Sequence, residues 1–336
     1  MANLKLAAVL GAAGIVALKL ATRPAPFDLR GKIVLVTGGS RGLGLLIARE
    51  FAARGARVAI VARDAEELQR AADQLLTVTP HVLTLEADVT IREEAEAAVQ
   101  KVNEQFGPVD VLVNNAGTIS VGPLEVMTID DYRDSLNTHF WGPYFTTMAV
   151  LTEMQQRHRG RIVNISSIGG KISVPHLVPY SVGKFALTAF SEGLRSEARK
   201  DTVYVTTVCP GLMRTGSPRN ALFKGKNEAE YAWFSISDAL PLLSMSARRA
   251  ACQIVKACQR GSAEVVLSLP AKLAVRFHGV FPGATADVLA FINRLLPGPG
   301  GIGTEVKTGK ESYSRISPSW LTTLNERAAQ QNNEVA

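Results

Sequence analysis

Short runs of consecutive apolar, β-branched residues alternate with longer stretches whose apolar positions recur every three or four residues. Lys32–Thr37 reads as a buried strand, Gly38–Gly44 as a glycine-rich turn and Leu45–Ala53 as a helix. The alternation continues with a strand at Arg57–Ala62, a helix at Ala65–Leu76, a strand at Val82–Ala87 and a helix at Ile91–Phe106. Val109–Asn114, Arg161–Ser166, Val203–Cys209 and Val265–Leu269 complete a set of seven strands. Strands separated by helices of ten or more residues form right-handed βαβ units. Strands without a polar face suit a sheet covered on both sides. The pattern therefore predicts a Rossmann-like, doubly wound, seven-stranded parallel sheet with helices on both faces.

Both ends of the chain depart from this rhythm. From Leu6 to Leu18 thirteen apolar or small residues run between Lys5 and Lys19. Such a helix covers roughly 20 Å, short of the roughly 30 Å hydrocarbon core. With both lysines snorkelling, residues 4–21 just span, which makes them a candidate membrane attachment. Basic residues on the C-terminal side of this segment place the main domain on the cytoplasmic face of a membrane, or in the cytoplasm if the helix packs instead. Beyond Leu269, the residues Leu273, Phe277, Val280 and Phe281, then Val288, Leu289, Ile292, Leu295 and Leu296, fall at helical spacing around Pro282-Gly283. Amphipathic helices packed on the core are the expectation; a substrate lid or a membrane-skimming element is the alternative. The resulting division is 1–22 apolar helix, 23–28 linker, 29–269 catalytic domain, 270–297 helical extension and 298–336 polar tail, wrapped on the surface or partly disordered.

Composition narrows the function classes. The chain has 336 residues, 46% of them hydrophobic, and a formal net charge of +7. No long basic block or zinc spacing supports nucleic-acid binding. Cys209, Cys252 and Cys258 have no CxxC spacing, so neither a disulfide framework nor a metal site is expected.

Candidate chemistry lies at the strand ends. The first strand runs into Thr37-Gly38-Gly39-Ser40-Arg41-Gly42-Leu43-Gly44. A glycine turn between strand and helix lets a pyrophosphate approach the backbone, and the helix N-terminus favours its charge. The second strand ends without the acid that binds a ribose 2′-hydroxyl, whereas Arg63 and Arg41 offer guanidinium groups to a 2′-phosphate, so NADP(H) is expected in preference to NAD(H). Asp64 fits as the cap of the next helix. Tyr180 and Lys184 stand one helical turn apart, and an ammonium beside a phenol favours the phenolate. Ser167 lies just past the fifth strand, at the sheet edge that also carries the glycine turn.

Taken together, TGGSRGLG (37–44), Asp88 in ADVT (87–90), NNAG (114–117), Ser167, YSVGK (180–184) and PGLMRT (210–215) resemble the short-chain dehydrogenase/reductase family over roughly residues 29–269. The resemblance implies that Gly38, Ser40, Arg41, Gly42, Leu43, Gly44 and Arg63 hold the phosphates. It further implies that Asp88 and Val89 meet the adenine, that Asn115, Ala116 and Gly117 line the middle of the cofactor, and that Pro210, Gly211 and Thr215 hold the nicotinamide end. Ser167 would hydrogen-bond a carbonyl, Tyr180 would exchange its proton, and Lys184 would bind the ribose and lower the Tyr180 pKa. Many members carry an asparagine three residues before a glycine in the helix after NNAG; here that place holds His139. It is expected to be a tolerated substitution, with a proton relay as the alternative.

The expected activity is NADP(H)-dependent hydride transfer to or from a carbonyl or secondary alcohol. A small lipophilic substrate is suggested by Ile172, Val174, Leu177, Val178, Leu222, Phe223, Tyr231, Trp233, Phe234, Leu240 and Leu242 in the segments expected to face it. The family suggests a homo-oligomer. The alternatives are a non-catalytic NADP-binding scaffold of the same fold, or an NAD-dependent alcohol dehydrogenase. His176 is expected to be a loop histidine, and Ser166 a strand-end residue.

Overall fold

The structure, a computed structural model, describes residues 26–241, 243–314, 317–319 and 322–335. The apolar segment at 4–21 and Leu242 lie outside the described residues. Seven strands form the central sheet: β1 (Ile33–Thr37), β2 (Arg57–Ala62), β3 (Val82–Glu86), β4 (Val111–Asn114), β5 (Gly160–Ile165), β6 (Val203–Cys209) and β7 (Glu264–Val266). Their spatial order is β7-β6-β5-β4-β1-β2-β3, and every neighbouring pair is parallel. The predicted doubly wound sheet is therefore present.

Helices cover both faces because side chains alternate along each strand. Val34, Val36, Val58 and Ile60 pack towards α1 (Gly42–Ala52) and α8 (Ala247–Arg260) through Ile47, Phe51, Ala250 and Ile254. Ile33, Leu35, Ala59 and Leu112 face the other way, towards α3 (Arg92–Gln105) and α5 (Gly142–Gln156), where Val99, Val102, Val150 and Met154 meet them. Each fully buried aliphatic side chain contributes about 1.5–3 kcal/mol. The remaining helices are α2 (Ala65–Leu76), α4 (Ile129–Leu136), α6 (Val178–Ala198), α7 (Asn227–Ala239), α9 (Leu269–Val280), α10 (Pro282–Asn293) and α11 (Thr323–Gln331). The crossover after β3 returns the chain to the far side of β1. The β1 and β4 loops therefore diverge and open a crevice at the carboxyl edge.

Three expectations are corrected. The last strand stops at Val266 rather than Leu269, because the Ser268 hydroxyl accepts the Ala271 N–H and starts α9 with Pro270 in its first turn. The α9–α10 pair is not packed on the core: Leu273, Phe277, Val280, Phe281, Val288, Ile292 and Leu295 are exposed, and only Ala271 and Thr285 are buried along the two helices. The third concerns the polar tail, which carries structure of its own. Lys307–Thr308 pairs with Leu222–Phe223, and α11 packs beside α7.

Candidate active site

The crevice begins at the glycine turn. Gly42 has φ +56°, a left-handed conformation that favours glycine, and a Cβ on Gly44 would stand 2.0 Å from the Gly38 carbonyl oxygen. The turn is tied to the β4 loop. The Thr37 hydroxyl accepts the N–H groups of Asn115 and Ala116 at 3.0 and 3.1 Å, and the Asn115 amide donates to the carbonyls of Thr37 and Gly38. Helix α1 starts without a side-chain cap and without an acid in its first turn. Its first N–H groups have no intrahelical partner and point at the crevice. This donor set and the lack of Cβ atoms fit a dinucleotide pyrophosphate.

Off the ends of β2 and β3 lies an open depression of about 500 Å³ lined by Arg63, Leu85, Ala87, Asp88, Glu94 and Lys101, among others, the place the resemblance implies for adenine. Thr90 donates to the Asp88 carboxylate from its N–H and its hydroxyl at 2.9 and 2.8 Å. Val89 is buried at the same loop. Asp64 caps α2 as expected, accepting the Glu67 N–H at 2.8 Å. Neither arginine is unaccompanied: Arg63 lies 3.6 Å from Asp88, and Arg41 pairs with Glu67 at 2.8 Å. Glu67 also accepts from the Ser40 hydroxyl. No acid adjoins Arg41 along the chain; Glu67 reaches it because the Asp64 cap sets the first turn of α2 against the glycine turn.

At the other end, α6 brings Tyr180 and Lys184 to one face, beside the loop after β5 that carries Ser167. Lys184 Nζ lies 5.7 Å from the Tyr180 ring centroid and donates to the Ile165 carbonyl at 2.9 Å. Burial pushes the Tyr180 phenol up to about 12, while its hydrogen bond with Ser167 pulls it down. Burial pushes the Lys184 ammonium down to about 7. The expected lowering of the phenol by the lysine is absent in the protein alone: burial raises it, and the hydrogen bond with Ser167 is what opposes the rise. The Ser167 hydroxyl accepts the Gly169 N–H, and Ser166 turns inward to the Lys184 carbonyl and Thr188, a strand-end role.

His139 completes the cluster. It sits in a π-helical turn, Asn137–Trp141, between α4 and α5, and its ring meets Tyr180 edge-on at 5.3 Å. Nε2 is 2.9 Å from the Thr118 carbonyl, so this nitrogen carries the proton. Burial, and secondly the Lys184 charge, hold the ring well below its usual pKa and keep it neutral. Nδ1 is then an acceptor, buried and without a partner among the described residues. It lies against Gly117, where a Cβ would stand 3.4 Å away.

The loop after β6 closes the crevice. The Pro210 carbonyl accepts the Ile168 N–H, which binds this loop to Ser167's. Gly211 fits against Ala271 and Ser268, and the buried Thr215 hydroxyl donates to Ser217. The apolar residues expected to face substrate divide into two groups. Phe223, Tyr231 and Phe234 form a small separate core with Val121 and Ala221. Ile172 is also buried; Val174, Leu177, Val178, Leu222 and Trp233 are half-buried, and Leu240 is exposed. His176 is more than a loop histidine. It has φ +62°, and Nδ1 sits 2.9 Å from both carboxylate oxygens of the fully buried Glu230, which also accepts from Trp233 Nε1 at 2.6 Å. This clamp ties the loop before Tyr180 to α7, and no local spacing signals it.

A family model described as short chain dehydrogenase matches residues 32–223. The chain belongs to the short-chain dehydrogenase family. Its members are nicotinamide-dependent oxidoreductases, and this short-chain dehydrogenase has curated relatives of that kind. A dehydrogenase/reductase SDR family protein 7-like from Anopheles gambiae is 37% identical over 246 residues, 71% of this chain and 76% of the relative. The 3-dehydrosphinganine reductase of Danio rerio is 36% identical over 192 residues, 56% of this chain and 58% of that protein. Among solved structures, L-sorbose reductase from Gluconobacter frateurii, complexed with NADPH and L-sorbose, is 27% identical with a TM-score of 0.64, covering 72% of this chain and 97% of that one.

Proposed function

We propose that this short-chain dehydrogenase is an NADP(H)-dependent reductase of apolar carbonyl compounds, with Tyr180 as the proton-transfer group. One observation carries the reading: the Tyr180 phenol stands beside the Ser167 hydroxyl, on the same helical face as Lys184 and edge-on to His139. The glycine turn, Asn115–Gly117, Lys184 and Pro210–Thr215 would hold the dinucleotide, with Arg41 and Arg63 turned to its 2′-phosphate. The NADPH bound in the L-sorbose reductase complex supports that assignment. The bound nicotinamide supplies or accepts the hydride. Ser167 donates a hydrogen bond to the carbonyl oxygen, and Tyr180 gives that oxygen its proton. A phenol pushed up to about 12 keeps its proton at neutral pH, the form that donates in reduction. His139 Nδ1 accepts a hydrogen bond from a water that re-supplies the proton. The test is NADPH consumption with lipophilic ketones by wild type and Tyr180→Phe. Equal rates would leave a dinucleotide-binding scaffold as the better account.

Glu67 favours a second reading. An acid on Ser40 and Arg41 suits an NAD-dependent alcohol dehydrogenase. Under the NADP reading, Arg41→Ala combined with Arg63→Ala raises the Michaelis constant for NADPH at least tenfold and leaves that for NADH unchanged, since each charged hydrogen bond is worth about 1.5–3 kcal/mol. Under the NAD reading NADH is the better cofactor from the outset.

Two surfaces support the expected partners. Trp141, Phe145, Tyr144, Phe140 and Phe190 stack along α5 and α6, where Trp141, Met148, Val182 and Phe185 are exposed, a face suited to a second copy of the chain. Sedimentation of Phe185→Glu against wild type tests the homo-oligomer; an unchanged mass removes this face from the interface. The exposed α9–α10 residues, with Lys272, Arg276 and Arg294, suit the cytoplasmic face of a membrane alongside residues 4–21. Among the described residues no helix is long and apolar enough to cross a membrane. Flotation with anionic vesicles tests that attachment; loss of residues 1–22 and Phe277→Asp should each weaken it.

A further inference from the structure

The last described residues of the chain reach the glycine turn. Asn332 offers its carbonyl to the Gly42 N–H at 2.9 Å. Asn333 donates to the carbonyls of Ser40 and Glu67 at 2.8 and 3.0 Å, and accepts from Arg70 at 3.0 Å. Glu334 accepts the Gly216 N–H at 2.6 Å and is 6% exposed. A Cβ placed on Gly42 would stand 3.1 Å from its carboxylate oxygen. Behind this segment, α11 is fastened by Arg219 to Glu326 at 2.7 Å and by the Asn325 amide to the Ser235 carbonyl.

These contacts fall at a particular place. The adenine depression lies on the Arg63 and Asp88 side of the turn, and Tyr180 and Thr215 lie on the other. A dinucleotide joining the two must lay its pyrophosphate between Gly42 and Gly216. There the structure already holds the Glu334 carboxyl group on the Gly216 N–H and the Asn332 carbonyl on the first N–H of α1. These acceptors satisfy N–H groups that a pyrophosphate would otherwise use.

We propose that Asn332–Glu334 is an intramolecular occupant of the pyrophosphate cradle, which a dinucleotide must displace, so that the tail regulates cofactor entry. The inference rests on the assignment of the crevice to a dinucleotide. The docked segment is held by polar contacts to backbone and to Arg70, a small set that a pyrophosphate with more acceptors can exchange for its own. A tail docked about nine-tenths of the time weakens apparent cofactor affinity about tenfold.

The experiment measures NADPH and NADH affinity by calorimetry for the full chain, for Asn333→Ala/Glu334→Ala, and for a chain ending at Gln331, with thermal melting as the check on folding. Release of the tail is expected to tighten the NADPH Kd about tenfold. On the unaltered protein, NADPH should hasten removal of the terminal residues by carboxypeptidase, a readout that needs no variant to fold. Equal affinities in all three chains, weaker binding without the tail, or protection of the tail by NADPH would each overturn the proposal while the cofactor assignment stands. If no form binds either dinucleotide, the cofactor assignment itself fails.

Discussion

The two ends of the cofactor crevice are built on different terms. Around Tyr180, the side chains of Ser167, Lys184 and His139 are held by buried hydrogen bonds and by tight backbone packing, and the His176–Glu230–Trp233 clamp fixes the loop that leads into Tyr180. At the glycine turn, groups from more than a hundred residues away make the contacts, the Asn332 carbonyl to Gly42 and the Glu334 carboxyl to Gly216. Groups that must keep a geometry for proton transfer are locked from within the sheet's own loops. A surface that must accept a ligand carries contacts a ligand can replace. Preorganisation belongs to the first and exchange to the second.

That contrast can be broken by experiment. The largest effect is expected from Tyr180→Phe, which should lower kcat/KM by about 10²–10⁴-fold, the range for a lost general acid. NADPH affinity should stay within about twofold; a large loss of binding would place Tyr180 in the cofactor site rather than the chemistry. Next is stability. Glu230→Ala strands His176 and Trp233 and should cost about 3–5 kcal/mol, lowering the Tm by several degrees. Glu334→Ala should leave the Tm nearly unchanged, and a comparable fall in both would show the tail to be as fixed as the clamp. The smallest effect is in pH. Burial pushes the Glu334 carboxyl from 4.5 up to about 7, helped by Glu67 and opposed by the Gly216 N–H, Arg41 and Arg219. Docking therefore takes up a proton: it is favoured most below 4.5 and weakens as pH rises through 7. Relative to Glu334→Gln, wild type should bind NADPH better at pH 8 than at pH 6. A ratio that does not move with pH would show that Glu334 does not titrate on release.

The seven-stranded parallel sheet and the convergence of Ser167, Tyr180 and Lys184 were legible because they follow from local pattern. Apolar runs set strands, and the end of each strand sets the edge where loops meet. The surroundings were less legible. Glu67 belongs to the first turn of α2, and its reach to Arg41 depends on how two loops meet in space. Phe223, Tyr231 and Phe234 have the composition of a pocket wall and the packing of a core, and composition does not separate the two. The α9–α10 periodicity reports an apolar face without saying whether protein covers it. The docking of Asn332–Glu334 leaves no local trace in the chain, since its partners are distant and, Arg70 apart, are backbone groups that any sequence carries.

The π-helical turn at Asn137–Trp141 has a consequence for how this active site varies. A π turn holds one residue more than an α turn, so it behaves as a single-residue insertion that the helix absorbs. Side chains before the turn are rotated relative to those after it, and whichever residue falls on the inner side of the bulge is brought against Tyr180. Shortening the segment by one residue would return it to α geometry and present a different neighbour to Tyr180. Here the identity of the group behind the acid is a matter of helical phase as much as of amino-acid type.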